Sequence, residues 1–310
     1  MTVGLRSPEE VHVRRTRIVG ALAASTCVVL GVSATSATAS GDGPERLHIL
    51  LTNDDGWDAP GITAVYDELV GAGHHVVLVA PATNQSGKGA ALTFGGSLTV
   101  AQPADGKYAV TGTPVDAAEF GLSAVFDEND PPDLVISGTN VGENVAEGII
   151  HSGTVGAAVN ALADGVPAIA VSTEVDGDDV GPFAETAQFV VRLVDRLQDR
   201  AHRGDLLPDG IGLNVNYPLV EDGGQPEGVA ATETGRGLFD LDYAGALPEP
   251  GQSSSFTFEY GLGLSADVRN SDLAALEADL VSISPIEADY DAGAGELRWV
   301  RGVVRELGRR

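Results

Sequence analysis

Between Arg46 and Val171 the chain alternates short, continuous apolar runs with stretches in which apolar residues recur every three or four positions. The runs RLHILLTND, HHVVLVAP, YAVTG, PDLVISG and AIAVS are rich in β-branched residues, whereas GITAVYDELVGAG, TPVDAAEFGLSAVF and SGTVGAAVNALADG carry helical periodicity. Runs that are apolar at every position belong to parallel strands covered on both faces. In TPVDAAEFGLSAVF, Pro114 falls where a first helical turn tolerates its missing N–H, and Val115, Ala118, Leu122 and Val125 share one face. The pattern predicts an α/β fold built on a doubly wound, mostly parallel sheet.

Beyond Val171 the periodicity predicts a helix over about Phe183–Arg200 and a strand in IGLNVNYP. A glycine- and proline-rich region from Leu219 to Gly251 follows, which reads as loops or an excursion rather than a second core. FTFEYGLGL reads as an extended arm, and SDLAALEADLVSISPIEAD as a helix followed by a last strand. The expected organisation is a leader over 1–39, an α/β core over 40–218 and a C-terminal extension over 219–310.

The leader is expected because Arg14-Arg15-Thr16-Arg17 precedes an apolar run from about Ile18 to Val32 and then Ala37-Thr38-Ala39, the order of a secretory signal cleaved near Ala39. The run, ~15 residues, is shorter than the ~20 of a membrane span. The paired arginines resemble a twin-arginine export signal, and a general secretory signal has the same order. The one cysteine, Cys27, lies inside the run, so the exported chain is expected to hold no disulfide. Residues 1–39 carry four Arg and two Glu, and their removal takes the formal net charge from −27 to −29. Such a surface repels nucleic-acid polymers and anionic membranes. A small anionic substrate is compatible with it only where local positive charge, such as a cation, receives the anion.

In parallel sheets ligands bind beyond the carboxyl ends of the strands, and three polar loops fall there. The first is Asn53-Asp54-Asp55-Gly56. Adjacent strand residues face opposite sides, so Asp54 and Asp55 serve one ion only if the strand ends at them, a turn that Gly56 permits. Two close carboxylates repel unless a cation lies between them or one takes a proton. Taken alone, the loop leaves two readings open: a divalent-metal site, or a solvated turn capping the next helix. The second loop, Asn84-Gln85-Ser86-Gly87-Lys88-Gly89, is small and polar, and lacks the spacing of a phosphate-binding P-loop. The third runs through Ser137-Gly138-Thr139-Asn140-Val141-Gly142-Glu143-Asn144 to His151-Ser152-Gly153-Thr154. Asn140 offers a neutral carbonyl oxygen, and a helix opening at Ser152 presents free N–H groups suited to a phosphate, or simply capped by Ser152 or Thr154. His151 is a candidate acid or base, or a packed boundary residue.

Taken together and in order, NDDGWDAPGI, VVLVAPATNQSGKGAALTF, VTGTPVDAAEF, PDLVISGTNVGENV, HSGTVGAAVNALADGVPAIAVS and LNVNYP resemble the SurE family of survival-protein nucleotidases, over about Leu47–Pro218. The resemblance implies a Rossmann-like core with a C-terminal extension for oligomer contacts, giving a homodimer or homotetramer. It implies divalent-metal-dependent hydrolysis of nucleoside 5′- or 3′-monophosphates. By motif the metal ligands would be Asp54, Asp55, Ser86 and Asn140, an all-oxygen set suited to Mg²⁺ or Mn²⁺, with Ca²⁺ a substitute in a crystal. Departures are Ala117 for a cysteine, Trp57 for a tyrosine and His151 for a tyrosine.

The mechanism that follows places the phosphate among Asn140, Asn144, Ser152, Gly153 and Thr154, with Lys88 adding charge, while Asp54 or Asp55 orients or deprotonates the water. One rival is a non-catalytic exported protein that binds metal or nucleotide on the same scaffold. Another is a haloacid-dehalogenase-type phosphatase, which needs its two acids at D-x-D spacing, whereas Asp54 and Asp55 are adjacent.

Overall fold

The computed structural model describes residues 46–126, 129–201, 205–237, 239–262, 268–289, 291 and 294–307. The expected leader and Cys27 lie outside these residues. Strands β1 (His48–Thr52), β2 (His75–Pro81), β3 (Val100–Ala104), β4 (Lys107–Val110), β5 (Leu134–Val141), β6 (Ala168–Thr173), β7 (Ile211–Tyr217), β8 (Gly228–Ala231) and β11 (Leu280–Glu287) form one nine-stranded sheet in the order β3-β4-β2-β1-β5-β6-β7-β11-β8. Neighbours from β4 to β7 are parallel, and so are β11 and β8; β3 on β4 and β11 on β7 are antiparallel. The fold is thus the mostly parallel, doubly wound α/β sheet the pattern predicts, with a C-terminal extension.

Helices α1 (Pro60–Gly71) and α4 (Phe183–Arg200) pack on one face, and α2 (Pro114–Phe120) and α3 (Gly153–Ala163) on the other. Strand β1 shows why its run is apolar throughout: Ile49 and Leu51 join the core under α1 and α4, while Leu50 between them joins the core under α2 and α3. All three are fully buried, each contributing about 1.5–3 kcal/mol of apolar burial. Helix α2 begins at Pro114 with a capping box, in which the Thr113 hydroxyl accepts from Asp116 N and the Asp116 carboxylate from Thr113 N, and it runs on into a π-helical turn at Gly121–Val125.

The region 219–251 departs from the loop reading. It supplies β8, which joins the sheet beside β11, and β9 (Phe239–Ala244), which pairs antiparallel with β10 (Thr257–Leu262) in a separate ribbon. β8 is only four residues, Gly-Val-Ala-Ala, and its partner lies some fifty residues later, so no local alternation reveals it. The predicted helix and last strand of 271–289 appear as α5 (Asp272–Leu276) and β11, and a further helix, α6 (Ala294–Leu307), follows. Among the described residues no helix is long and apolar enough to cross a membrane.

The strand order places the site. From β1 the chain moves through β2 to β4 in one direction, whereas β5, β6 and β7 lie on the other side of β1. The direction switches between β1 and β5, where crossovers leave a crevice at the strands' carboxyl ends.

On the α2–α3 face, Asn160 Nδ2 donates to Glu119 Oε1 at 2.6 Å, and the Asp164 carboxyl at the end of α3 is pushed up to about 6 by burial, then by its hydrogen bond to Glu119 and that residue's charge. A carboxyl raised on folding holds a proton that the unfolded chain has already released, so stability falls as pH rises from about 4, the unfolded carboxyl range, to about 6 and then levels off. Urea midpoints between pH 4 and pH 7 should show this fall in the wild type and a shallower one in Asp164→Asn.

Candidate active site

Strand β1 ends at Thr52, and the next four residues turn back on themselves. Asn53 organises the turn, its Nδ2 donating to Gly56 O at 2.9 Å and its Oδ1 accepting from Gly56 N at 3.2 Å. Gly56 has φ +120°, a backbone conformation that side chains other than hydrogen rarely tolerate. The turn brings both carboxylates to the crevice, which an unbroken strand would not do.

Asp54 is buried, with 3% of its surface exposed. Its Oδ1 accepts from Thr154 Oγ1 at 2.6 Å, and the first turn of α3 lies directly on it: a side-chain carbon built on Gly153 would sit 2.7 Å from both Asp54 Cβ and Oδ2, and 2.8 Å from Pro114 Cγ. Only glycine allows that approach. Burial pushes the Asp54 carboxyl up, opposed by the Thr154 hydroxyl and by backbone N–H groups that include those of Gly153 and Thr154. Asp55 faces the β5 side, its Oδ2 accepting from Val141 N at 2.9 Å and its Oδ1 from Asn84 Nδ2 at 3.4 Å. Burial first, and the Asp54 charge second, push the Asp55 carboxyl up to about 7 against the Val141 N–H.

The second loop docks on this pair. Gln85 N donates to Asp54 O at 2.6 Å, and Asn84, already bonded to Asp55, accepts from Ser86 N at 2.9 Å. Ser86 is thereby held beside the acids with its residue exposed. Asn140 spends its amide nitrogen on Val141 O at 3.2 Å and Gly142 O at 2.8 Å, which commits its donor end and leaves the carbonyl oxygen as its candidate atom for a cation. Asp54 and Asp55 come from the turn after β1 and Ser86 from the second loop, whereas Asn140, expected in a loop, lies near the end of β5, which runs on to Val141 beside β6. The set is all oxygen with two carboxylates, and among the described residues no three His, Cys, Asp or Glu side chains gather into a metal-ligating group. Two adjacent, mutually repelling acids, one buried and one half-buried, flanked by neutral oxygens fit a hard divalent cation.

The remaining candidates sit differently. Ser152 caps α3, its Oγ accepting from Val155 N at 3.0 Å, so its hydroxyl proton stays available. Asn144 is anchored in the sheet: its N donates to Asn216 Oδ1 at 2.7 Å, its Nδ2 to Ser172 Oγ at 2.8 Å, and its O accepts from Asn214 and Asn216. Lys88 and His151 are exposed on the loops; the backbones meet where Gly89 N donates to His151 O at 3.0 Å.

Of the residues that hold these loops, the sequence placed Asn84 in the second candidate loop and Gly112-Thr113-Pro114-Val115-Asp116 either beside the site or at a helix start, and gave no role to Asp272. Asn84 links Asp55 to Ser86. Asp116, buried at 2% exposure, accepts from Thr93 N at 2.8 Å and Thr93 Oγ1 at 2.7 Å as well as from Thr113 N. Asp272 of α5 accepts from Ala146 N and Gly235 N, both at 2.9 Å, tying the third loop to the C-terminal extension. Only Asp116 left a local signal, the spacing of a capping box from Thr113.

With the geometry in place, comparison with known proteins is decisive. A family model described as survival protein SurE matches residues 49–240. The chain belongs to the SurE family. A 5′-nucleotidase SurE of Rubrobacter xylanophilus is 36% identical over 261 residues, covering 80% of this chain and 94% of that protein; one of Geotalea uraniireducens is 36% identical, covering 82% and 99%. The crystal structure of the SurE protein from Aquifex aeolicus superposes with a TM-score of 0.69 at 29% identity, covering 82% of this chain and 99% of that one. The family match spans all three loops of the site.

The Thr154–Asp54 hydrogen bond is the contact that lets a charged carboxylate stay buried here. Thr154→Val keeps the shape and removes the donor, and should cost about 1–3 kcal/mol in chemical denaturation, whereas Thr154→Ser should recover most of the loss.

Proposed function

We propose that this protein is a divalent-metal-dependent phosphomonoesterase that hydrolyses nucleoside monophosphates to nucleoside and phosphate. The observation that carries this reading is the adjacency of Asp54, buried under the N-terminus of α3, and Asp55, half-buried against β5, with neutral oxygen donors around them. The names of the family's relatives, 5′-nucleotidases, support the substrate class.

In this reading Asp54, Asp55, Ser86 and Asn140 hold one Mg²⁺ or Mn²⁺. Such an ion supplies positive charge that offsets the phosphate's own and makes phosphorus more electrophilic. The chain's groups do the rest. The Ser152 hydroxyl and the second amide N–H of Asn144 donate to phosphate oxygens at the positive end of α3, and Lys88 adds charge from the second loop. The Thr154 hydroxyl and the N–H groups of Gly153 and Thr154 are bonded to Asp54 and position that acid, and the Asn140 amide nitrogen is bonded to Val141 O and Gly142 O, which leaves its oxygen for the cation. A water attacks phosphorus in line with the ester bond, a carboxylate oxygen of Asp54 or Asp55 takes its proton, and the departing sugar oxygen ends protonated as the P–O bond breaks. No covalent enzyme intermediate is needed.

The proposal extends to export and assembly. It has residues 1–39 removed near Ala39 and the mature chain as a homodimer or homotetramer. The apolar faces that Leu297, Trp299, Val300 and Val304 of α6 and Tyr243 and Phe258 of the β9–β10 ribbon leave exposed support a partner copy. Protein recovered outside the producing cells should begin at or near Ser40 by N-terminal sequencing and weigh two or four chains by light scattering; a full-length monomer retained inside would count against both.

Phosphate release from AMP by the purified mature protein should require added Mg²⁺ or Mn²⁺ and stop in EDTA. Asp55→Asn should lower kcat/KM at least about 100-fold and abolish the rise in Tm that the metal gives the wild type. Turnover that survives Asp55→Asn would overturn the ligand assignment. A protein that binds AMP without releasing phosphate would favour the non-catalytic alternative.

A further inference from the structure

The second loop does more than deliver Ser86. Between Gly89 and Thr93 it is stapled across the openings of α2 and α3: Gly89 N donates to His151 O at 3.0 Å, the Thr113 hydroxyl donates to Ala91 O at 2.6 Å, and Thr93 donates from both its backbone N and its hydroxyl to Asp116. Burial works to raise the Asp116 carboxyl, and the hydrogen bonds from Thr113 and Thr93 outweigh it, holding it below the usual carboxylate range. The staple is therefore charge-assisted.

The next residue is Phe94. Its ring is 91% exposed, and Gly95 and Gly96, which follow, have nothing within 4 Å of where a side chain would be. An aromatic ring on a loosely held surface loop would carry little meaning. Here its backbone neighbour is fixed, and the fixing residue belongs to the helix whose Pro114 touches Gly153, which in turn touches Asp54. The staple is thus tied through α2 to the turn of α3 that covers Asp54.

We propose that Phe94 is the platform on which the base of the substrate stacks. This rests on the nucleotidase reading. A nucleoside monophosphate entering the crevice has its charge at one end, met by the acid-held cation and the α3 N-terminus, and one flat, uncharged ring system at the other. An exposed aromatic face on the loop that carries Ser86 matches that ring system and nothing else in the substrate. Stacking of a base on an aromatic side chain tolerates any base, because every base has a π-face. Phe94 therefore adds affinity for nucleotides as a class, more for purines than for the smaller pyrimidines, and none for a phosphomonoester without a ring.

The test compares AMP, UMP and β-glycerol phosphate with saturating Mn²⁺. Phe94→Ala, a change at an exposed position, should lower kcat/KM for AMP about tenfold through KM with kcat held, lower UMP less, and leave β-glycerol phosphate unchanged; Phe94→Trp should restore AMP. An equal fall on AMP and β-glycerol phosphate, or no fall on AMP, overturns the proposal. So does a change in assembly size of Phe94→Ala by light scattering, since the ring would then belong to a contact between copies. If the wild type hydrolyses none of the three, the nucleotidase reading fails on its own, and AMP affinity by calorimetry for wild type and Phe94→Ala still decides the role of Phe94.

Discussion

Two adjacent carboxylates at the end of β1, Asp54 buried and Asp55 half-buried, are the constraint around which this protein is arranged. Each opposes the other's charge, and burial opposes both, so the surroundings must supply positive potential or give up the charge. The fold answers Asp54 with the first turn of α3 and the Thr154 hydroxyl, and answers Asp55 with the Val141 N–H and Asn84. These partners lower but do not cancel the rise in proton affinity that both acids show. The unmatched remainder favours a proton or a cation in the crevice over two bare charges.

That arrangement needs three segments far apart in sequence to arrive together, and the switch in strand order between β1 and β5 does this. Because the crossovers diverge there, the α3 N-terminus can descend onto Asp54 without a helix from the other side in the way, and the absence of a side chain at Gly153 allows the final approach. The loops are then locked from outside the crevice. Asn214 and Asn216 of β7 hold Asn144, Asp272 of the C-terminal extension holds Ala146, and Asp116 holds Thr93. Each lock uses side-chain oxygens on backbone N–H groups, or side-chain amides on a backbone carbonyl, so loop position is set by the sheet and helices rather than by loop sequence.

Much of the fold was legible in the sequence. The continuous apolar runs of β1, β2, β5 and β6 and the helical stripes of α1, α2 and α3 are local signals, and the helix read over Phe183–Arg200 has those bounds in α4. The four-residue β8 escaped, because its strand character comes from a partner and not from its own composition. The site was half legible. Asp54, Asp55, Ser86 and Asn140 stood out as polar residues after strands, yet Asn144, read as a phosphate contact, proves to be woven into β6 and β7; Asn84 and Asp116 lay in segments the sequence marked without revealing that they hold the loops, and nothing marked Asp272.

By itself the sequence determined the element types, the parallel character of the sheet and the chemistry on offer, since periodicity and side-chain pKa are properties of a segment and its residues. Only the tertiary structure decided which oxygens meet. Whether Asp54 and Asp55 were a solvated turn or a buried pair depended on α3 closing over them, a contact between residues a hundred positions apart. Burial, and with it the strength of every charge in the crevice, is a property of what surrounds a group, and no stretch of chain carries its own surroundings.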